Sequence, residues 1–199
     1  MRSILDAEQV YIKLKKLSQN RIVVGVPYNN DFLNMIGLVQ EHGAHIRPKN
    51  GQYLVIPTAA AEGRKASEID GLYKRGHALG VDDSTAPYGF KVMFVLRESV
   101  VIPPRPWLLD SFNHHKADWV LFYKKLVARC INDADYPFEK VYNTLGRQMV
   151  ADVRQELRQF NDPPNAPLTI SHKGENNPLM DTGKLYKSIT WYLERKVGD

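Results

Sequence analysis

The stretch Pro178-Leu-Met-Asp-Thr-Gly-Lys-Leu-Tyr-Lys-Ser-Ile189, followed at once by Thr190-Trp-Tyr-Leu-Glu194, packs a loop, a helix start and a strand into one short run. Proline has no N–H and a fixed φ, so Pro178 belongs to a loop. Asp181 or Thr182 is placed to cap a short helix through Leu185 and Tyr186, because a carboxylate or hydroxyl there accepts the helix's first free N–H groups. From Ser188 onward the residues alternate. Ile189, Trp191 and Leu193 share one face and Thr190, Tyr192 and Glu194 the other, the period of a half-buried strand. The stretch reads as a capped corner that launches a strand.

Upstream, Asn161-Asp-Pro-Pro-Asn-Ala-Pro167 ends helical structure outright. Before it, Phe138, Val141, Tyr142, Leu145, Met149, Val153, Leu157 and Phe160 form an apolar stripe that persists for about six turns. The opposite face carries Arg147, Asp152, Arg154, Glu156 and Arg158 and reads as a solvated surface. Another long helix is expected over residues 107–131, with Phe112, Trp119, Phe122, Tyr123, Leu126 and Cys130 near one face. Pro106 suits its first turn, and Asp133-Ala-Asp-Tyr-Pro137 breaks it. Ile102-Pro-Pro-Arg-Pro-Trp107 ahead of that helix is a rigid corner.

The first part of the chain adds three elements. Ile4, Ala7, Tyr11, Leu14 and Leu17 recur at helical spacing over residues 3–18, with Lys13, Lys15 and Lys16 on other faces. Arg21-Ile-Val-Val-Gly-Val26 is β-branched and bounded by turn residues, hence a strand. Asp31 can cap a helix through about Glu41, which Gly43 stops. Between residues 47 and 97 the pattern is β-rich and irregular, with strands at Tyr53-Leu-Val-Ile56 and Lys91-Val-Met-Phe-Val-Leu96. Residues 59–89, rich in small residues and glycine, read as a long loop with a function or a mobile one, and partial disorder is expected there unless a neighbour covers it. The expected class is α+β: a small, mostly antiparallel sheet packed on two long amphipathic helices, in a single domain over residues 1–199 with a β-rich insert at about 47–101.

Composition limits the functional classes. The 199 residues include 43% hydrophobic and 25% charged residues, the balance of a globular chain. The longest apolar runs are too short to span a bilayer, so no membrane partner is expected. Residues 1–16 are interrupted by Asp6, Glu8, Lys13 and Lys15 and lack the pattern of a secretion signal. A single cysteine, Cys130, excludes an intrachain disulfide and fits a reducing cytoplasm. The net charge of +5 is spread, with 13 basic to 10 acidic residues up to position 100 and 14 to 12 beyond it. A nucleic-acid-binding accessory role is therefore an alternative, although no basic run is interleaved with stacking aromatics.

Asp181-Thr182-Gly183 is also the tripeptide that carries the catalytic carboxylate of aspartic proteases, which need two carboxylates sharing a proton around one water. A chain with one motif meets that need by dimerising. Here Pro178 lies close before the motif, Lys184 follows where a small residue is usual, and 16 residues remain after Gly183, few for a supporting sheet. Proteolysis through Asp181 stays a remote alternative.

Glu41-His-Gly-Ala-His45 reverses the zinc-protease order and has Gly43 between its histidines, so metal ligation is not expected. His114 and Asp118 are placed to hydrogen-bond one turn apart, as surface side chains commonly do. Cys130 on an apolar face reads as a buried, inert thiol. No nucleophile elbow, phosphate-binding loop or dinucleotide fingerprint is present. The expectation is no enzyme and no cofactor.

Several elements together resemble the tail-completion proteins of tailed bacteriophages, also described as neck, minor tail or virion-morphogenesis proteins. The resemblance is strongest in Asn165-Ala-Pro-Leu-Thr-Ile170, Lys173-Gly174 and the Pro178–Ile189 stretch. Ile102-Pro-Pro-Arg-Pro-Trp-Leu108 is the next most specific element. Val24-Gly-Val26 and the helix ending Gln40-Glu-His-Gly43 stand in the same order as in that family. Compact members have the Glu-His-Gly and Ile-Pro-x-Arg-Pro elements close together, so this chain resembles a longer variant.

The resemblance implies an α+β subunit of a ring, usually sixfold, that joins the head connector to the tail. It further implies a head-completion or connector protein and a tail terminator or tail tube protein as partners, and DNA passing through the lumen. The chain would be made in the host cytoplasm and end in the virion. Arg105, Trp107, Asp181, Thr182, Gly183 and Leu185 are the residues expected to hold the corners or touch a neighbour, and Arg105, a planar donor fork near a helix start, is placed to pair a carboxylate on either its own or a neighbouring chain. Strand edges, residues 59–89 and the proline loops are the expected docking surfaces.

Overall fold

The structure, a computed structural model, describes residues 6–167, 169–170 and 177–196. The start of the first expected helix (residues 3–5), Leu168 and the Lys173-Gly174 pair lie outside the described residues. The chain is α+β and forms two compact units. The first comprises Met1–Glu41, Pro106–Phe160 and Leu179–Asp199, the second His42–Arg105 and Asn161–Pro178.

In the first unit, α1 (Ala7–Ser18) leads into β1 (Asn20–Gly25), which is followed by α2 (Asp31–His42). The two long helices are α3 (Trp107–Asn132) and α4 (Phe138–Gln159). A short helix, α5 (Lys184–Ser188), precedes β8 (Thr190–Arg195). Asp6 caps α1 by accepting the N–H of Gln9 at 2.8 Å. The cap of α2 is Asn30, whose Oδ1 accepts from Leu33 N at 3.1 Å. Asp31, expected in that role, is instead the first helical residue, where its charge favours the helix N-terminus. β8 pairs antiparallel with β1, with Ile22 opposite Leu193 and Val24 opposite Trp191.

The apolar stripe of α4 forms the centre of this unit. Val141, Tyr142, Leu145, Val150, Val153 and Leu157 are buried together with Trp119, Leu126 and Cys130 of α3, Leu179, Leu185 and Ile189. Phe112, expected on the same buried face, is instead exposed. The helices run antiparallel: Trp119 Nε1 donates to Asp152 Oδ2 at 2.7 Å, and Cys130 lies beside Tyr136 across the connecting loop.

The charged face of α4 departs from the expectation of a solvated surface. Arg154 donates to the carbonyls of Lys187 and Ile189 at 3.2 and 2.9 Å, and Arg158 donates to the Tyr186 hydroxyl at 2.7 Å. Those side chains fasten the α5 corner to α4. Gly146, between Leu145 and Arg147, is where the Trp191 ring lies directly on the α4 backbone.

Among its described residues the second unit holds two antiparallel sheets. β2 (Ala44–Ile46) pairs with β7 (Val100–Ile102). A four-stranded sheet has the order β3-β6-β5-β4, with β3 at Leu54–Pro57, β4 at Tyr73–Arg75, β5 at Ala78–Asp82 and β6 at Phe90–Arg97. Residues 59–89 therefore form ordered structure, a correction to the expected disorder. Three 3-10 turns and the β4–β5 hairpin fill the span, and Ala61, Met93 and Phe94 make a small core with Ile69, Leu72, Leu79 and Val81 around it. The sequence signal failed because these strands are short and the core draws its apolar residues singly from scattered positions. Gly43, at φ +72°, turns the chain beside Ile102 and Pro104, where a Cβ would come within 2.7 Å of the Ile102 carbonyl.

Candidate functional site

The six corner residues belong to both units, five to the first and Arg105 to the second. Trp107 and Leu185 meet in the first unit, both buried and both facing Gly37 of α2: a Cβ on that glycine would stand 3.9 Å from Trp107 Cζ2 and 3.8 Å from Leu185 Cδ1. Arg105 belongs to the second unit. It is 5% exposed, and its guanidinium donates to the carbonyls of Pro163 and Pro164 at 3.1 Å each. Burial lowers its pKa from the ordinary arginine value. The planar fork thus holds the proline loop through main-chain oxygens.

Asp181 and Thr182 are exposed. The sequence expects Asp181 or Thr182 to cap α5, but Asp181 does not, and the contact of that kind is Thr182 Oγ1, 3.5 Å from Lys184 N. The turn is made by Gly183 itself, at φ +70°, a conformation glycine adopts without a steric penalty. Leu185 then drops into the core and anchors the corner.

Glu41 has a structural role that its sequence neighbourhood concealed. Its two carboxylate oxygens accept from Leu108 N at 2.9 Å and Leu109 N at 3.0 Å. The prolines ahead of α3 provide no side-chain cap of their own, so a carboxylate from α2 satisfies the helix start and complements its dipole. A Glu41→Ala protein should lose about 1–2 kcal/mol of stability, by analogy with removal of a local cap together with its dipole interaction. Equilibrium denaturation would measure it, and an unchanged midpoint would show that the cap contributes nothing.

His42 and His45 are exposed, and no cluster of histidine, cysteine or carboxylate side chains among the described residues is arranged to hold a metal ion. His114 does not pair with Asp118. It contacts Glu156 of α4 at 3.2 Å, and His115 approaches the same carboxylate at 3.8 Å while stacking on Trp119. Cys130 is completely buried, and burial raises its pKa, so the thiol is held away from its nucleophilic form.

An apolar groove of about 1070 Å³ lies in the first unit, bounded by α1, β1, α3 and α4. Leu17, Ile22, Trp119, Tyr142, Leu145 and Met149 form its floor, and Phe112, Val120 and Leu121 its wall. Phe112, Val120 and Leu121 are 52, 52 and 55% exposed. Arg21, Lys116 and Lys196 stand at the rim, and Arg21 is already bound to Glu194 at 2.7 Å.

A second apolar surface runs along α2, where Phe32, Met35 and Leu38 are 63, 49 and 59% exposed. Among the described residues the β1–β8 sheet has two strands, so each strand keeps one unpaired edge. Sequence reasoning identified the edges but neither the groove nor the α2 stripe. Both required knowing which side of each helix the core consumes.

The class defined by this geometry is an α+β protein that leaves an apolar groove open. Comparison of the chain with protein-family models, with curated proteins and with solved structures returns no match.

Proposed function

We propose that this chain is a structural protein of a tailed-phage virion. It would form a ring, taken as sixfold, at the neck or tail end and join the head connector to the tail. It acts by shape and surface complementarity, with no catalytic step, and DNA passes through the ring. The observation that carries the reading is the amount of apolar surface the first unit leaves open: a groove of about 1070 Å³ and large side chains on α2 and α3 around half exposed or more. Contiguous exposed apolar surface marks a place where another molecule docks. The Pro178–Ile189 stretch and the Ile102–Leu108 corner supply the resemblance that points to the neck in particular.

The first test is the assembly state of the purified chain, by mass photometry and negative-stain electron microscopy over a range of concentrations, alone and with connector and tail-tube proteins from the same genome. Rings of uniform size in either setting are the expected result. A strict monomer that binds neither partner would contradict the reading.

A further inference from the structure

We propose that copies of this chain join head to tail, the exposed stripe of α2 on one copy seating in the apolar groove of the next. The inference rests on the assembly role proposed above and names the surfaces that would carry it.

Phe32, Met35 and Leu38 follow one another at three-residue steps, so they project along one side of α2. The other side is used by the core, with Leu33 and Gly37 buried and Ile36 packed against the main cluster. An amphipathic helix presenting anchors at this spacing is the partner an apolar groove recognises in the helix-in-groove mode. The groove has the matching character. Its volume of about 1070 Å³ is just above the roughly 300–1,000 Å³ typical of a small-ligand pocket, room for several side chains along a helix.

Charge supports a second copy as the occupant. No carboxylate lines the groove, and with Arg21 bound to Glu194 the rim keeps Lys116 and Lys196 as its remaining cations. On α2 the exposed charge beside the apolar stripe is Asp31, two turns from Leu38 and on the same side. Between residues 31 and 41 the helix has no lysine or arginine, and its other carboxylate, Glu41, is occupied at the start of α3. Docking the stripe would bring Asp31 to a lysine rim. None of Phe32, Met35 and Leu38 lines the groove of its own chain. Each copy therefore offers both halves of a heterologous contact, the kind that closes into a ring when the rotation permits.

The test uses the full chain. Because Cys130 is buried, a single introduced cysteine is the reactive one. A Leu38→Cys copy and a Leu121→Cys copy, mixed and treated with a short bismaleimide, should yield cross-linked heterodimer at least tenfold faster than the Leu38→Cys copy mixed with a Tyr88→Cys copy. Tyr88 is 92% exposed and lies in the second unit, which makes it the control. Adding Asp31→Lys to the first copy should lower the yield several-fold, and Lys116→Asp in its partner should restore it. Circular dichroism of each variant confirms that it is folded.

Equal rates for the two pairs, or a yield indifferent to Asp31→Lys, would overturn the inference. A lipid or an unrelated protein found in the groove of the purified chain, with no preferential cross-link, would do the same. If rings form without the cross-link, this contact is wrong and the assembly role stands. If the cross-link forms but the protein is absent from virions, the neck reading falls and the self-contact stands.

Discussion

A Gly146→Val protein should be destabilised by about 3 kcal/mol, near the upper end of what overpacking a core costs, which corresponds to a fall in Tm of roughly 6–12 °C for a chain of this size. Gly146 sits inside α4, where glycine is otherwise unfavourable by about 1 kcal/mol relative to alanine. Its presence is explained by Trp191. An added Cβ would overlap the indole, with Cε3 and Cγ each only 2.7 Å away. Neither side can yield easily, because one is helix backbone and the other is held by the pairing of Val24 with Trp191 across β1 and β8.

Gly146→Ala should cost less, since its helix propensity offsets part of the clash. Combining Gly146→Ala with Trp191→Val should recover stability relative to Gly146→Ala alone, which a double-mutant cycle by urea denaturation would show. Additive losses would mean that the two residues do not meet.

Lys13→Met should cost about 2–3 kcal/mol, within the range for hydrogen bonds to a charged group that leave buried acceptors unpaired. Lys13 Nζ stands 3.0 Å from the carbonyl of Cys130, 3.2 Å from Asp133, 3.3 Å from Ala134 and 2.9 Å from Tyr136. The ammonium closes the C-terminal end of α3 at the point where its last carbonyls have lost their helical partners, and its charge complements the dipole there.

Methionine keeps the apolar stem and removes only the donors, so the loss reports the cap itself. Hydrogen exchange should quicken around residues 130–140 well before it changes in the second unit. Uniform loss of protection, or none, would contradict this role. Lys13→Arg should restore only part of the stability, because a planar fork cannot reach four carbonyls arranged around one point.

The elements that were legible in the sequence are those whose signal is local. The stripe of α4 runs long enough for its period to be unambiguous, and the alternation after Ser188 marks β8 as plainly. Gly43 and the Ile102–Trp107 prolines set boundaries through backbone angles that no distant residue changes. Caps were less legible, because the group that satisfies a helix end need not be its neighbour. Glu41 caps α3 across 67 positions and Lys13 closes it across more than a hundred. Neither separation has a sequence signature.

The insert failed for a related reason. Strands as short as Tyr73–Arg75 show no usable period, and a core around Ala61 does not look like a core until the fold assembles it. Of the corner residues, Trp107, Leu185 and Gly183 have local structural roles, Arg105 holds a loop that only the fold brings to it, and Asp181 and Thr182 remain at the surface. The groove and the α2 stripe, the surfaces on which the assembly proposal depends, are properties of what the core leaves uncovered.

The most direct test of that proposal is electron microscopy of the lysate made by a phage whose copy of this gene carries an early stop codon. A neck-joining role predicts filled or empty heads and finished tails lying separate, with joining restored when the protein is supplied. Intact, joined and infectious particles in its absence would contradict the account.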